Sequence, residues 1–104
     1  MAFTEIKKYK LSQYSGASAS GLIYFFDKDN KHIGNSYFVR EDVLPAPWQD
    51  EDGFISLYHH DTDYASVVDM LRNEKPCYLW WFTSSGCVST STENVGENEF
   101  RIRI

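Results

Sequence analysis

The stretch Cys77-Tyr78-Leu79-Trp80-Trp81-Phe82-Thr83 is apolar at nearly every position, and four of its residues are aromatic. Its length and its aromatic content suit a β-strand. Successive side chains of a strand point to opposite faces. Leu79 and Trp81 therefore face one way, and Tyr78, Trp80 and Phe82 the other. Both faces of such a strand call for a cover. Leu22 to Asp27, LIYFFD, poses the same demand, with Leu22, Tyr24 and Phe26 opposed to Ile23 and Phe25.

Between these strands the periodicity changes. Tyr64, Val67, Val68 and Leu71 stand at i, i+3, i+4 and i+7, which is one stripe of a helix. Asp61 or Thr62 suits the N-cap, Asp61 and Asp63 the positive end of the dipole, and Arg72 and Lys75 the negative end. Asn73 suits a left-handed C-terminal position and Pro76 stops the helix. The pattern predicts a helix over residues 62 to 74, about 20 Å long.

Working outward, residues 3 to 11 alternate loosely and carry Lys7, Lys8 and Lys10, as an edge strand protected by lysines does. Residues 12 to 20 are small and polar and read as a loop. Asp27 to Lys31 is turn chemistry that joins LIYFFD to a partner strand, Ile33 to Val39. Residues 40 to 53 hold Pro45 and Pro47, which rule out a central strand. This long loop carries Trp48, either as a lid packed on the core or as an exposed contact residue. Phe54 to His59 is the next strand. After CYLWWFT, a turn at Ser84-Ser85 leads into Cys87 to Ser91. Asn94 to Gly96 is a further turn, and Glu99 to Ile104 alternates as a final strand.

The expected fold is α+β in the order ββββαβββ. It is a single domain, 1–104, whose mostly antiparallel, curved sheet or partly closed barrel of about seven strands packs on one amphipathic helix. One such helix covers one sheet face only. The second aromatic face has three available covers: closure of the sheet into a barrel, a second copy of the chain, or a ligand held in a groove.

Composition narrows the function classes. Ten Lys plus Arg against fifteen Asp plus Glu leave a net charge of −5, which disfavours nucleic acid as a partner. The acids cluster at residues 41–52 and 93–99, as solvated loops do. The longest apolar run, Cys77 to Phe82, is too short to span a bilayer, so no membrane partner is expected. The first residues lack the apolar core of a signal peptide, and the cytoplasm is the expected compartment. With the turn at Ser84-Ser85, Cys87 falls opposite Phe82 and Cys77 opposite Thr92. That is on the order of 15 Å apart along the ladder, against the roughly 7 Å that a disulfide allows. Two thiols are expected, as in a reducing compartment.

No catalytic constellation stands out. His59, His60, Asp61 and Asp63 offer metal-binding atoms, but adjacent residues at a strand end face opposite ways, so His59 and His60 do not readily share an ion. Asp27-Lys28-Asp29 opens like a calcium loop and then departs from it, with His32 at the sixth position and Phe38 at the twelfth. The segment Gly16 to Gly21 lacks the Lys-Ser/Thr of a phosphate loop and the Gly-x-Ser-x-Gly of a nucleophile elbow. Neither cysteine has a histidine at a telling spacing. The expectation is a small non-catalytic binding domain without a cofactor, acting through an aromatic sheet face. Trp48, Tyr78, Trp80 and Phe82 are its contact residues, and its partner is another protein or a second copy. The alternative is a small-molecule pocket on a curved sheet, with weak enzymatic activity.

Overall fold

A computed structural model of the chain describes residues 2–15 and 19–90. Among them run strands β1 (Ala2–Ile6), β2 (Lys8–Gln13), β3 (Ala19–Phe26), β4 (His32–Val39), β5 (Trp48–Gln49) and β6 (Ile55–His60). Helix α1 (Tyr64–Asn73) follows, then β7 (Cys77–Phe82) and β8 (Ser85–Thr90). They form two sheets, one of three strands in the order β1-β7-β8 and one of five in the order β2-β3-β4-β6-β5. The class is α+β, and every pairing is antiparallel except β4 with β6. Among the described residues neither sheet closes into a barrel, and each has two edge strands. No helix among the described residues is long and apolar enough to cross a membrane.

The element order differs from ββββαβββ in two places, and each has a local cause. The first expected strand is two. Up to Ile6 the even residues face inward, because Thr4 pairs with Leu79 and Ile6 with Cys77. Beyond Lys7 the odd residues do, because Tyr9 pairs with Phe25 and Leu11 with Ile23. The chain changes sheet at Lys7, whose amide donates to the Phe26 carbonyl at 2.9 Å. The second difference is the short β5 inside the proline-bearing loop, which pairs with β6 on the side away from β4. The strand expected at 99–104 lies outside the described residues.

The core forms where the sheets and the helix meet. Ile23, Phe25 and Phe38 are completely buried on the inward face of the five-stranded sheet, with Ile55 and Leu57 beside them. The three-stranded sheet contributes Ile6, Cys77 and Leu79. The sheets approach closely because two positions have no Cβ: one built on Gly34 would stand 2.7 Å from the Leu79 side chain, and one on Gly86 would collide with Leu57. The helix lays Tyr64, Val67, Val68 and Leu71 on the same core, with the Tyr64 ring edge-on to Phe38 at 5.0 Å.

Both helix ends correct the expected caps. A 3-10 turn over Asp61–Asp63 leads into α1, so neither Asp61 nor Thr62 caps it. The N-cap residue Asp63 makes no side-chain capping bond, and Ser66 Oγ donates to its carbonyl at 2.9 Å. Asn73 stays helical, its amide donating to Asp69 at 2.6 Å. The chain leaves through an extended Glu74 and a cis Lys75–Pro76 bond.

The β7–β8 turn is Thr83-Ser84 rather than Ser84-Ser85, because Gly86 is needed inside the strand where the sheets touch. Phe82 therefore pairs with Ser85, Trp80 with Cys87, and Cys77 with Thr90. The cysteines stand three ladder positions apart, about 10 Å at strand rise, and both remain thiols.

Candidate functional site

Alternation within β1 and β7 turns one set of aromatic residues away from the core. Phe3 pairs with Trp80 and Glu5 with Tyr78, on the face opposite the buried Leu79. The Phe3 ring lies 4.4 Å from Tyr78, nearly parallel to it, and 4.2 Å from Trp80 at a steeper angle. The Trp80 indole N–H donates to Ser89 Oγ on β8 at 2.6 Å. Phe3 is 49% exposed and Phe82 62%. Tyr78, Trp80 and Phe82 thus share one outward face, joined by Phe3, which the sequence reading passed over. The signal for Phe3 was its spacing: Ile6 and Tyr9 both pack inward, three residues apart, which no single unbroken strand allows.

Trp48 is not part of this group. It lies on β5 opposite Ser56, on the outward face of the other sheet, and is 49% exposed. It is therefore not a lid packed on the core.

The outward face of the five-stranded sheet is different chemistry. Tyr37 on β4 and Tyr58 on β6 stack at 5.1 Å. The Lys10 ammonium stands 5.3 Å from the centre of the Tyr24 ring. His32 packs against Phe26 at 5.2 Å and meets Phe54 edge-on at 4.8 Å. Its Nε2 bonds Asn35 Oδ1 at 2.6 Å, and the Asn35 amide donates to the Tyr37 hydroxyl at 3.2 Å. Neighbouring Tyr24 holds the Tyr14 phenol above the usual tyrosine pKa; desolvation adds to the rise and Ser12 opposes it. Polar groups converge over aromatic rings here, whereas the Phe3–Trp80 face is chiefly apolar.

His59 and His60 are separated by the pleat. His59 faces inward, stacked on Phe38 at 4.8 Å and bonded to Ser36 Oγ at 2.9 Å. Burial pushes its pKa down, and the charge of Asp63 opposes part of that. His60 is exposed on the other side. Asp61 lies 3.9 Å from Arg40. No three His, Cys, Asp or Glu side chains among the described residues are grouped to hold a metal. Ser36, His59 and Asp63 include the residue types of a nucleophilic triad. Yet Ser36 is completely buried, so no substrate reaches its hydroxyl, and the His59 bond serves to satisfy that hydroxyl inside the core.

A cleft of about 660 Å³ opens between the β3–β4 and β5–β6 turns, with Asp27, Asp50, Phe54 and Leu79 in its wall. Two of its aspartates are turn builders. Asp27 Oδ1 accepts the amides of Asp29 and Lys31, and Asp50 Oδ1 those of Asp52 and Phe54. Asn30, at φ +64°, completes the first turn.

Compared with models of known families, with curated proteins and with solved structures, the chain has no significant match.

Proposed function

We propose that the protein is a non-catalytic binding domain whose working surface is the outward aromatic face of the three-stranded sheet, and that its first partner is a second copy of itself. The observation that carries this reading is the exposed cluster Phe3, Tyr78, Trp80 and Phe82, with two of its rings about half or more uncovered. Contiguous apolar surface of this kind marks interaction sites on water-exposed proteins, and Trp and Tyr are the residues that anchor them. Charge supports a second copy as the occupant. Each chain carries −5, so two copies meet with least repulsion where acids are scarce. Among the described residues, the only carboxylate that the strand register places on this face is Glu5, and Lys7 pairs with it at 3.3 Å. A two-fold axis would bring the same patch of each copy together.

Native mass spectrometry and sedimentation test this. The expected result is a dimer in the wild type and a monomer in Trp80→Ala, with unchanged circular dichroism and a loss of association of about 2 kcal/mol or more. A wild type that stays monomeric at every concentration overturns the self-association reading. Two thiols in place of a disulfide support a reducing compartment such as the cytoplasm. The convergence of polar groups on the opposite face favours a second reading, in which the protein also takes a small ligand.

A further inference from the structure

We infer that the cleft between the β3–β4 and β5–β6 turns binds a small zwitterion with an apolar side chain, an amino acid or a dipeptide. None of Phe3, Tyr78, Trp80 and Phe82 lines this cleft, so the inference does not rest on self-association.

The cavity itself is the first observation. Its volume, about 660 Å³, falls within the roughly 300–1,000 Å³ of small-molecule sites. Both sheets build it. Ile33 and Ile55 come from the five-stranded sheet and Leu79 from the three-stranded one, with the Phe54 ring beside them. Leu79 is also where the sheets approach, against Gly34, so the apolar wall is continuous with the core. A wall of this kind takes an apolar body rather than a bare ion.

Charges of both signs share the same cleft. Asp27, Asp50 and Asp52 bring carboxylates and Lys31 an ammonium. Backbone bonds fix where these residues stand. The Lys31 amide donates to Asp27 Oδ1 and the Lys31 carbonyl accepts the Asp27 amide, each at 3.0 Å. Asp50 Oδ1 accepts the Asp52 amide at 2.9 Å and the Phe54 amide at 3.0 Å. The second oxygen of Asp27 and of Asp50 takes no bond from the described residues. Among the described residues, Lys31 and these aspartates form no ion pair either. Opposite charges thus stand on one cleft without neutralising each other.

That arrangement selects among ligands. Three carboxylates repel a simple anion, and a simple cation leaves the Lys31 ammonium unmatched. A divalent metal fits no better, because no three ligating side chains among the described residues are grouped to hold one. A molecule with an ammonium, a carboxylate and an apolar side chain answers all three parts of the wall.

Calorimetric titration of the full chain with leucine and with dileucine tests the inference, and the tighter of the two names the source. Isoamylamine lacks the carboxylate, 4-methylpentanoate the ammonium, and glycine the side chain. Each should bind about fivefold more weakly, or worse. Lys31→Gln should weaken the zwitterion by a similar factor and leave isoamylamine unchanged. Asp52→Asn should weaken both. Lys31 and Asp52 are exposed, so the melting temperature should hold in both variants. Binding of neither leucine nor dileucine at millimolar concentration overturns the inference. So does equal affinity for any of the three truncated compounds, or a Lys31→Gln variant that binds the zwitterion as the wild type does.

Discussion

Thr83 and His59 show what single residues contribute beyond their place in a pattern. Thr83 sits in a two-residue hairpin turn at φ +57°, where a β-branched side chain crowds its own backbone at a cost of about 1–2 kcal/mol. Glycine removes that crowding but loses more entropy on folding. Thr83→Gly should therefore stabilise the protein by about 0.5 kcal/mol or slightly more and raise Tm by a few degrees in thermal unfolding. A fall in Tm would mean that the Thr83 side chain makes a contact that outweighs the strain. His59 is legible from sequence as a strand-end histidine. Its burial against Phe38 and its bond to Ser36 come from β4 lying parallel to β6, a neighbour no local pattern names. Burial holds its folded pKa below its ordinary value, about 6.5. The unfolded chain then binds a proton that the folded chain refuses. Stability is full above the ordinary value, falls as pH drops through it, and levels off below the folded pKa. Denaturant titrations between about pH 7 and pH 5 should show this loss, and His59→Gln should flatten it. An equal acid slope in both proteins would assign the loss to other groups.

At the scale of elements, β7 carries two opposite destinies on alternate residues. Leu79 is 1% exposed, in contact range of both sheets, and Phe82 is 62% exposed. Leu79→Ala should cost about 2–5 kcal/mol in urea denaturation, whereas Phe82→Ser should change stability by roughly 0.5 kcal/mol or less and lower only association. Equal losses from the two substitutions would contradict the assigned faces. This alternation was readable in the sequence, as was the helix stripe, because both depend only on periodicities of the chain itself. The join at Lys7 was not read, although its sign was present as a slip from even to odd inward residues. Loose alternation reads as one strand, since a slip has meaning only once the two halves are known to pair with different neighbours. The β7–β8 register missed for a related reason. Ser84-Ser85-Gly86 has turn composition, but Gly86 is spent on the approach of Leu57 from the other sheet.

For the whole molecule, the aromatic face predicts a particular response to salt. The Phe3–Trp80 face is chiefly apolar, so dimer formation through it should vary little with ionic strength, or strengthen as the repulsion between two chains of −5 is screened. Sedimentation across a salt series measures this. A steep weakening with added salt would indicate a charged interface instead.

The amino-acid sequence by itself determined the class of the fold, the position of the helix, and the alternation of the two aromatic strands, including the common face of Tyr78, Trp80 and Phe82. These follow from side-chain spacing along a local backbone, where the repeat of a helix or a strand is set by bond geometry. Tertiary structure alone decided that the strands divide into two sheets, that Phe3 joins the aromatic face while Trp48 stands apart from it, and that Tyr37 stacks on Tyr58 across two parallel strands. Those outcomes depend on which strand edges pair and which faces pack. That choice is made by summed contacts between residues far apart in the chain, each too weak and too unspecific to leave a mark on the local pattern.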